Sequence, residues 1–533
     1  MNDNPPYVMS EDISRTIGRE AQRNNILAAR VVADIVKTTL GPKGMDKMLV
    51  DSQGNITITN DGVTILEEME IEHPAAKMLV EISKTQEKEV GDGTTTAALL
   101  AGKFLEKAEF LLDRKIHPTV IVKGFRIASE KAHEILKDVS IIVDDKKILH
   151  QIAMTAMTGK GAEGNKERLS ELIVNAIDQV SSGREIDMNY IKIEKIAGGN
   201  VADSELIQGI VLSKERANSE MPSKVSNARI LLVDFPLELR SPETTTSISI
   251  STPEQMESFI KSEESNIKNM AEEIVNSGAN VVFCQKGIDD VAQYYLAKAG
   301  IFACRRIPKS EMEMLARATS GKIISKLSDI SETDLGRAES VDEIKQGEDS
   351  LTYVRGCLNP RALTIVLRGG TPHVIDEIER AVKDGLGDVL SAVKSGRIVC
   401  GGGSVEIELA RRLRIFARTL GGREQLAVEE FANALESIPE ALAENAGLDP
   451  IDVLTELKKR HESGSIRDGL NLFNDKIEDV FLAGIIEPLK VKTQAISSAS
   501  EVAMMILRID DVLISKRNTK EDSLIREDRK YEE

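Results

Sequence analysis

Gly91-Asp92-Gly93-Thr94-Thr95-Thr96-Ala97-Ala98-Leu99-Leu100 runs a flexible turn directly into the start of an apolar helix. At such a junction the unpaired N–H groups, three hydroxyls and the positive end of the helix dipole face one point, and phosphate is the natural guest. Asp92 in that mouth suits Mg²⁺, which takes one or two protein carboxylates and completes its shell with phosphate and water. A simple helix-capping cluster is an equal reading of the stretch taken alone.

Upstream, His73 to Val90 reads as an amphipathic helix, and before it Arg19 to Leu40 shows Leu27, Val31 and Ile35 beside Ala28, Val32 and Val36 as one broad apolar stripe. Gly41-Pro42 stops that helix. Between the two, Asn55-Ile-Thr-Ile-Thr-Asn-Asp-Gly62 alternates like a strand entering a tight Asp-Gly turn. Downstream, helices continue to about Asp138. The texture changes between Asn189 and Leu239 to short strands at Ile191 to Ile196, Ile207 to Leu212 and Ile230 to Phe235. Asn280 to Cys284 and Leu363 to Arg368 are further buried-strand candidates, with helices at Ile288 to Ala299 and His373 to Lys394. From Val405 to Leu513 long helices return, with a strand-rich interruption around Phe473 to Phe481. The expected fold class is mixed α and α/β: an α/β domain inserted into a helical one.

Composition narrows the function. The chain has 533 residues, 69 Lys plus Arg against 87 Asp plus Glu, and a formal net charge of −18. That balance argues against nucleic acid as a partner, since phosphate-backbone affinity rests on Lys and Arg. Aromatics make up 3% with no Trp, so base-stacking platforms have little raw material. The four cysteines are far apart and the six histidines show no paired metal spacing, which fits a reducing cytoplasm better than a zinc site. No run of about 18 apolar residues suggests a membrane span.

Four more places carry candidate chemistry. Thr39-Leu-Gly-Pro-Lys-Gly44 ends a helix with two residues lacking a Cβ, where backbone can approach phosphate or merely stop the helix. Asn60-Asp61-Gly62 presents a second carboxylate able to position a water, or is a plain turn. Asp384 lies off the stripe Ile375, Ile378, Val382, Leu386, Val389 and Val393. Gly385 and Gly387 flank Leu386 in mid-helix at about 1 kcal/mol each relative to Ala, a reason to expect close approach there. Gly401-Gly402-Gly403 precedes a helix start at Ser404. Gly159-Lys-Gly-Ala-Glu-Gly164 matches GxGxxG, but no strand enters it, and GxxxxGK[ST] is absent, so dinucleotide and P-loop folds are set aside. In the inserted domain, Glu243 to Ser251 is extended, and Thr252-Pro253-Glu254-Gln255 then opens a helix carrying Met256, Phe259, Ile260, Ile267, Met270 and Ile274. An ordinary packed amphipathic helix is the plain reading.

Taken together, Thr39 to Lys47, Asn60-Asp-Gly-Val-Thr64, Gly91 to Thr96, Gly401 to Gly403 and Gly484-Ile-Ile-Glu-Pro488 stand in the order and spacing of the chaperonins. Met45-Asp-Lys-Met-Leu-Val50 and Lys490-Val-Lys-Thr-Gln-Ala-Ile496 resemble the group II branch, the archaeal thermosome subunits in particular. The resemblance implies a three-domain fold. The helical equatorial domain would be residues 1–145 and 404–533, the small intermediate domain 146–215 and 368–403, and the α/β apical domain 216–367, with a helical lid protrusion at 243–270 that leaves Phe259 and Ile260 exposed. It implies an ATP-dependent chaperone of two stacked rings of identical or related subunits, cytoplasmic, enclosing non-native polypeptide, with ATP and Mg²⁺ as cofactors and neither nucleic acid nor membrane as partner. Carried over by motif, Leu40, Gly41, Pro42, Asn60, Gly91, Gly93, Thr94, Thr95, Thr96 and Lys160 would bind the phosphates, and Asp92 the metal. Gly402, Asn471 and Glu487 would contact the nucleoside, and Asp61 and Asp384 would activate the attacking water. Two positions depart from the family pattern: Lys383-Asp384-Gly385-Leu386 replaces the usual His-Asp-Ala-Leu, and Cys400 stands where Pro or Ala is common. A non-hydrolysing ring scaffold and a small-molecule kinase are the rival classes.

Overall fold

The computed structural model describes residues 13–143, 145–181, 188–238, 252–327, 330–346, 349–358 and 360–515. The chain forms two compact units, Met1–Lys160 with Ser391–Glu533, and Gly161–Leu390.

The first unit opens with β1 (Ile13–Ile17), α1 (Gly18–Lys37), β2 (Lys47–Val50), β3 (Ile56–Thr59), α2 (Gly62–Glu68), α3 (Pro74–Val90), α4 (Thr94–Asp113), α5 (Pro118–Val139), β4 (Ile141–Ile142) and α6 (Lys146–Met157). The second unit holds α7 (Lys166–Val180), β5 (Ile191–Ala197), β6 (Glu205–Ile207), β7 (Val211–Leu212), β8 (Lys224–Val233), α8 (Pro253–Asn276), β9 (Val281–Cys284), α9 (Asp290–Lys298), β10 (Phe302–Cys304), α10 (Lys309–Thr319), β11 (Ile323–Ile324), β12 (Gly336–Gln346), β13 (Asp349–Arg355) and β14 (Leu363–Gly369). The long α11 (Pro372–Ser395) leads back into the first unit through β15 (Arg397–Cys400), α12 (Ser404–Ala417), α13 (Glu424–Leu435), α14 (Ser437–Asn445), α15 (Pro450–Glu462), β16 (Asp468–Asn471), β17 (Lys476–Asp479), β18 (Ile486–Pro488), α16 (Leu489–Leu507) and β19 (Asp511–Ser515).

The first unit is built around α4, buried nearly all round at Ala97 to Ala101, Phe104, Leu105, Ala108 and Leu111, as a helix apolar on every face must be. α1, α3, α13 and α16 pack on it. Three of the chain's few aromatics meet here: Phe104 stacks on Phe431 at 4.2 Å between centroids, and Phe125 meets Phe431 edge-on at 5.5 Å. The face α1 buries is only partly the expected one, Val32 and Val36 being buried as anticipated. Ile26, Ala29, Val32, Ala33 and Val36 point inward while Leu27 and Val31 remain 58% and 51% exposed. Small residues decide this, because a Cβ on Gly102 of α4 would stand 2.3 Å from that of Ala33, so the backbones approach closest along the Ala face. β1 pairs antiparallel with β19, closing the two chain segments of the unit on each other.

In the second unit a sheet runs in the order β10-β9-β8-β12-β13-β7, with β11 parallel to β8. Successive residues of β8 face opposite sides: Ile230 and Leu232 meet α10, and Leu231 and Val233 meet α8 and α9. Both faces are therefore covered, and the near-continuous apolar run of β8 follows. The expected strand over Ile207 to Leu212 is instead two, β6 on β14 and β7 on β13. Gly209 breaks it, since a Cβ there would stand 2.0 Å from the Val354 carbonyl oxygen. α8 begins at Pro253; its described side chains are exposed up to Asn266, and from Ile267 the positions Ile267, Ala271 and Ile274 enter the core. The segment 243–251 and the side chains of Phe259 and Ile260 lie outside the described residues.

Candidate functional site

The site lies within the first unit. α3 ends at Val90 with Gly91 as its cap at φ 94°, and Gly93 at φ 80° starts α4, so two left-handed glycines reverse the chain around Asp92. L-residues with a Cβ pay for that conformation, which is why glycine stands at both positions. α4 begins without a side-chain cap, leaving its first-turn N–H groups turned toward a cavity.

Asp61 sits across from this helix start. The anticipated tight Asp-Gly turn is instead the beginning of α2: Asp61 Oδ2 accepts from Thr64 N at 2.9 Å and from Thr64 Oγ1 at 2.7 Å, while among the described residues Oδ1 receives the Thr94 hydroxyl, at 3.3 Å. Gly62 follows because a Cβ there would stand 2.5 Å from Thr95 Oγ1. Capping thus holds one carboxylate oxygen rigidly and leaves the other available. Lys160 closes the same corner, with Nζ 3.2 Å from Asp92 Oδ1, and the Asn60 amide donates to the carbonyl of Gly159.

Leu40, Gly41 and Pro42 form another wall, against the apolar side chains of Leu442 and Leu472. Gly402 at φ 59° brings backbone against Leu470, where a Cβ would stand 2.6 Å from the carbonyl oxygen, and Leu470 N donates to Gly402 O at 2.8 Å. Ile438, Leu470 and Phe473 complete an apolar lining. Glu487, on β18, is tied through Oε2 to Lys492 Nζ at 2.9 Å, and Lys492 is also 2.9 Å from Glu406 Oε1. Burial works against the Lys492 ammonium, yet the two carboxylates outweigh it and raise its pKa above that of an ordinary lysine.

The cavity therefore gathers Leu40, Gly41, Pro42, Asn60, Asp61, Asp92, Gly93, Thr94, Thr95, Thr96, Lys160, Gly402 and Glu487. Gly91 does not line it and acts behind it as the α3 cap. Asn471, expected to contact the nucleoside, is not in the lining either: in the β16–β17 hairpin its Nδ2 donates to Glu478 Oε1 at 2.6 Å and its Oδ1 accepts from Phe473 N at 3.0 Å, which leaves a second amide hydrogen and a second lone pair. Asp384 is half-buried on α11 in the second unit. Lining residues that the motifs did not point to include Thr155, Thr158, Phe473 and Lys492. Lys492 had a faint signal as a lysine in the first turn after Glu487-Pro488, which only its burial makes meaningful.

The donor set fits a phosphate ligand carrying one hard cation. Among the described residues no three His, Cys, Asp or Glu cluster as a cage, while Asp61 and Asp92 stand beside a helix N-terminus. Magnesium suits that, taking few carboxylates and filling its shell from phosphate and water. Three of the six histidines serve structure: His73 and His117 cap α3 and α5 ahead of a proline, and His461 is buried against Glu408. Burial pushes the Glu408 carboxyl up, but hydrogen bonds from His461, Arg411 and Arg412 overcome it and bring it down to about 2. No helix among the described residues is long and apolar enough to cross a membrane.

Residues 32–517 match the TCP-1/cpn60 chaperonin family. The chain is 55% identical over 523 residues to a thermosome subunit beta of Archaeoglobus fulgidus, covering 97% of this chain and 96% of that one. It is 54% identical over 519 residues to a thermosome subunit of Methanopyrus kandleri, covering 96% and 95%. A thermosome subunit beta of Methanothermobacter thermautotrophicus matches at 55% over 509 residues, 96% of this chain and 94% of the relative. With likeness running through nearly the whole length, and the shared motifs converging on one cavity, the chain belongs to the TCP-1/cpn60 chaperonin family as a group II, thermosome-like member.

Proposed function

We propose that the chain is an ATP-hydrolysing chaperone subunit of a cytoplasmic double-ring chaperonin, in which ATP turnover drives closure of a built-in lid over non-native polypeptide. The observation that carries this reading is the cavity itself, where an uncapped helix N-terminus, Asp61, Asp92 and Lys160 meet an apolar wall within one unit. A nucleoside triphosphate needs both halves. The partners are further copies or relatives of the chain in stacked rings, and the domains are equatorial 1–145 and 404–533, intermediate 146–215 and 368–403, and apical 216–367.

In this mechanism the N–H groups and hydroxyls of Gly93 to Thr96 hold phosphate oxygens, and Gly41-Pro42 brings backbone alongside them. Asp92 would hold Mg²⁺, which would supply charge neutralisation on the phosphates. Asp61 Oδ1, the oxygen not engaged by Thr64, accepts a proton from the attacking water. The water oxygen bonds to the γ-phosphorus as its bond to the bridging oxygen breaks, releasing ADP and phosphate. Asp384 is the second carboxylate acting on that water; carried by α11, it makes hydrolysis conditional on closure. The test is ATP turnover by the assembled complex with Mg²⁺, for wild type and Asp384→Ala. A fall of about 10²-fold or more is expected for the variant. A wild type that hydrolyses no ATP refutes the proposal.

A further inference from the structure

Lys492 is an unusual resident of the first unit. Its side chain is 6% exposed and lies 2.9 Å from Glu406, itself 2% exposed, and 2.9 Å from Glu487, which lines the cavity. One carboxylate would neutralise it. The second crowds onto the same ammonium, and Glu406 Oε2 is buried with no hydrogen-bond partner among the described residues. A buried ion cluster with an orphaned acceptor is poor value as a stability element, because apolar replacements of similar volume usually do as well or better. Its arrangement does make sense as a clamp. An ammonium held from two sides cannot swing, so the Glu487 carboxylate that it grips by Oε2 is held in one orientation, with Oε1 left for another donor. The same turn of α16 also touches the other side of the site: Gln86 Nε2 donates both to Val491 O at 3.2 Å and to Asp92 O at 2.8 Å.

We infer that Lys492 is a positioning residue of the nucleotide site, anchored by Glu406, which presents the Glu487 carboxylate to the vicinal ribose hydroxyls and so sets the preference for ribo- over 2′-deoxyribonucleotides. This rests on the proposed nucleotide reading of the cavity. A carboxylate locked by one oxygen can accept from the 2′- and 3′-hydroxyls together only while its orientation is maintained. Once Lys492 is gone the carboxylate turns freely, and the 2′-hydroxyl loses its fixed acceptor.

The test is calorimetric titration of ADP and 2′-deoxy-ADP, with Mg²⁺, into assembled wild type, Lys492→Met, Glu406→Gln, and the double variant Lys492→Met/Glu406→Gln. The double variant removes one buried charge of each sign, which separates positioning from simple charge burial. Wild type is expected to prefer ADP by about tenfold or more, the scale of one hydrogen bond to a charged group. In the double variant, assembled normally, ADP binding weakens about tenfold and the preference falls to about twofold or less. A double variant that keeps the wild-type preference overturns the inference. So does a double variant that cannot assemble while Glu406→Gln can, since Lys492 is then structural. Equal wild-type binding of both nucleotides overturns it as well and leaves the nucleotide site standing, whereas a wild type that binds neither removes the underlying reading.

Discussion

Gly159→Ala isolates how the cavity wall is held. Gly159 stands at φ +81°, and a Cβ there would lie 2.9 Å from Pro42 Cα and 3.3 Å from Gly41 O, both backbone atoms that no rotamer change can move. The left-handed conformation costs a non-glycine residue about 1–2 kcal/mol. Forcing a methyl into a closed contact adds about 1–3 kcal/mol. Gly54 is the internal control: at φ +89° it has nothing within 4 Å of its Cβ position, so Gly54→Ala carries only the conformational cost. The difference between the two variants, about 1–3 kcal/mol, is the price of the close approach alone. It is relieved by moving the Thr158–Lys160 segment off Gly41-Pro42, two walls of one cavity. Hydrogen exchange resolves this locally, where a single unfolding free energy is ill-defined for a multi-unit chain. Amides of residues 155–160 should exchange roughly 5- to 150-fold faster in Gly159→Ala, with ADP affinity reduced in the same direction, while Gly54→Ala leaves both unchanged. Wild-type exchange and ADP affinity within twofold in Gly159→Ala would refute the wall contact as a determinant of the site.

Asp61→Asn separates capping from chemistry: Asn caps helices as well as Asp, so stability should stay within about 0.5 kcal/mol. ATP turnover should fall about 10²–10⁴-fold as the proton acceptor is lost; equal loss of both by thermal melting and phosphate release contradicts the assignment. Glu408 titrates low in the folded protein, so its stabilisation is complete above about pH 4.5 and is lost as pH falls toward 2. Glu408→Gln should flatten that part of an acid-unfolding curve followed by circular dichroism, and should destabilise the neutral protein by about 1–3 kcal/mol as Arg411 and His461 lose a shared carboxylate while Arg412 keeps Asp138. Phe431→Ala, which empties the space between Phe104 and Phe125, should cost about 3–5 kcal/mol in the first unit, seen as a lowered melting temperature.

Much of the secondary structure was legible because it is local. The apolar period of α3 and α11, the glycine pair around Asp92 and the strand texture of β8 and β14 each depend on residues within a few positions of one another. The faces were less legible. α1 offers two apolar faces, and its larger residues lost to Ala29 and Ala33 because Gly102, some 70 residues away, admits a closer helix. Gly209 interrupts what reads as one strand because Val354 lies against it.

The same division holds for the site. A glycine turn running into a helix start announces itself in sequence, since it is written in six consecutive residues, and the separated motifs supplied the family. Side chains whose role depends on distant partners do not. Nothing near Asn471 in the sequence says that Glu478 holds its amide, and nothing near Lys492 says that Glu406, far upstream in the chain, meets it together with Glu487. Sequence by itself determined most of the segments that form helices, strands and glycine turns, because backbone preference is a short-range property. Only the tertiary structure decided which of their polar groups remain free for a ligand, because that depends on what distant residues have already claimed.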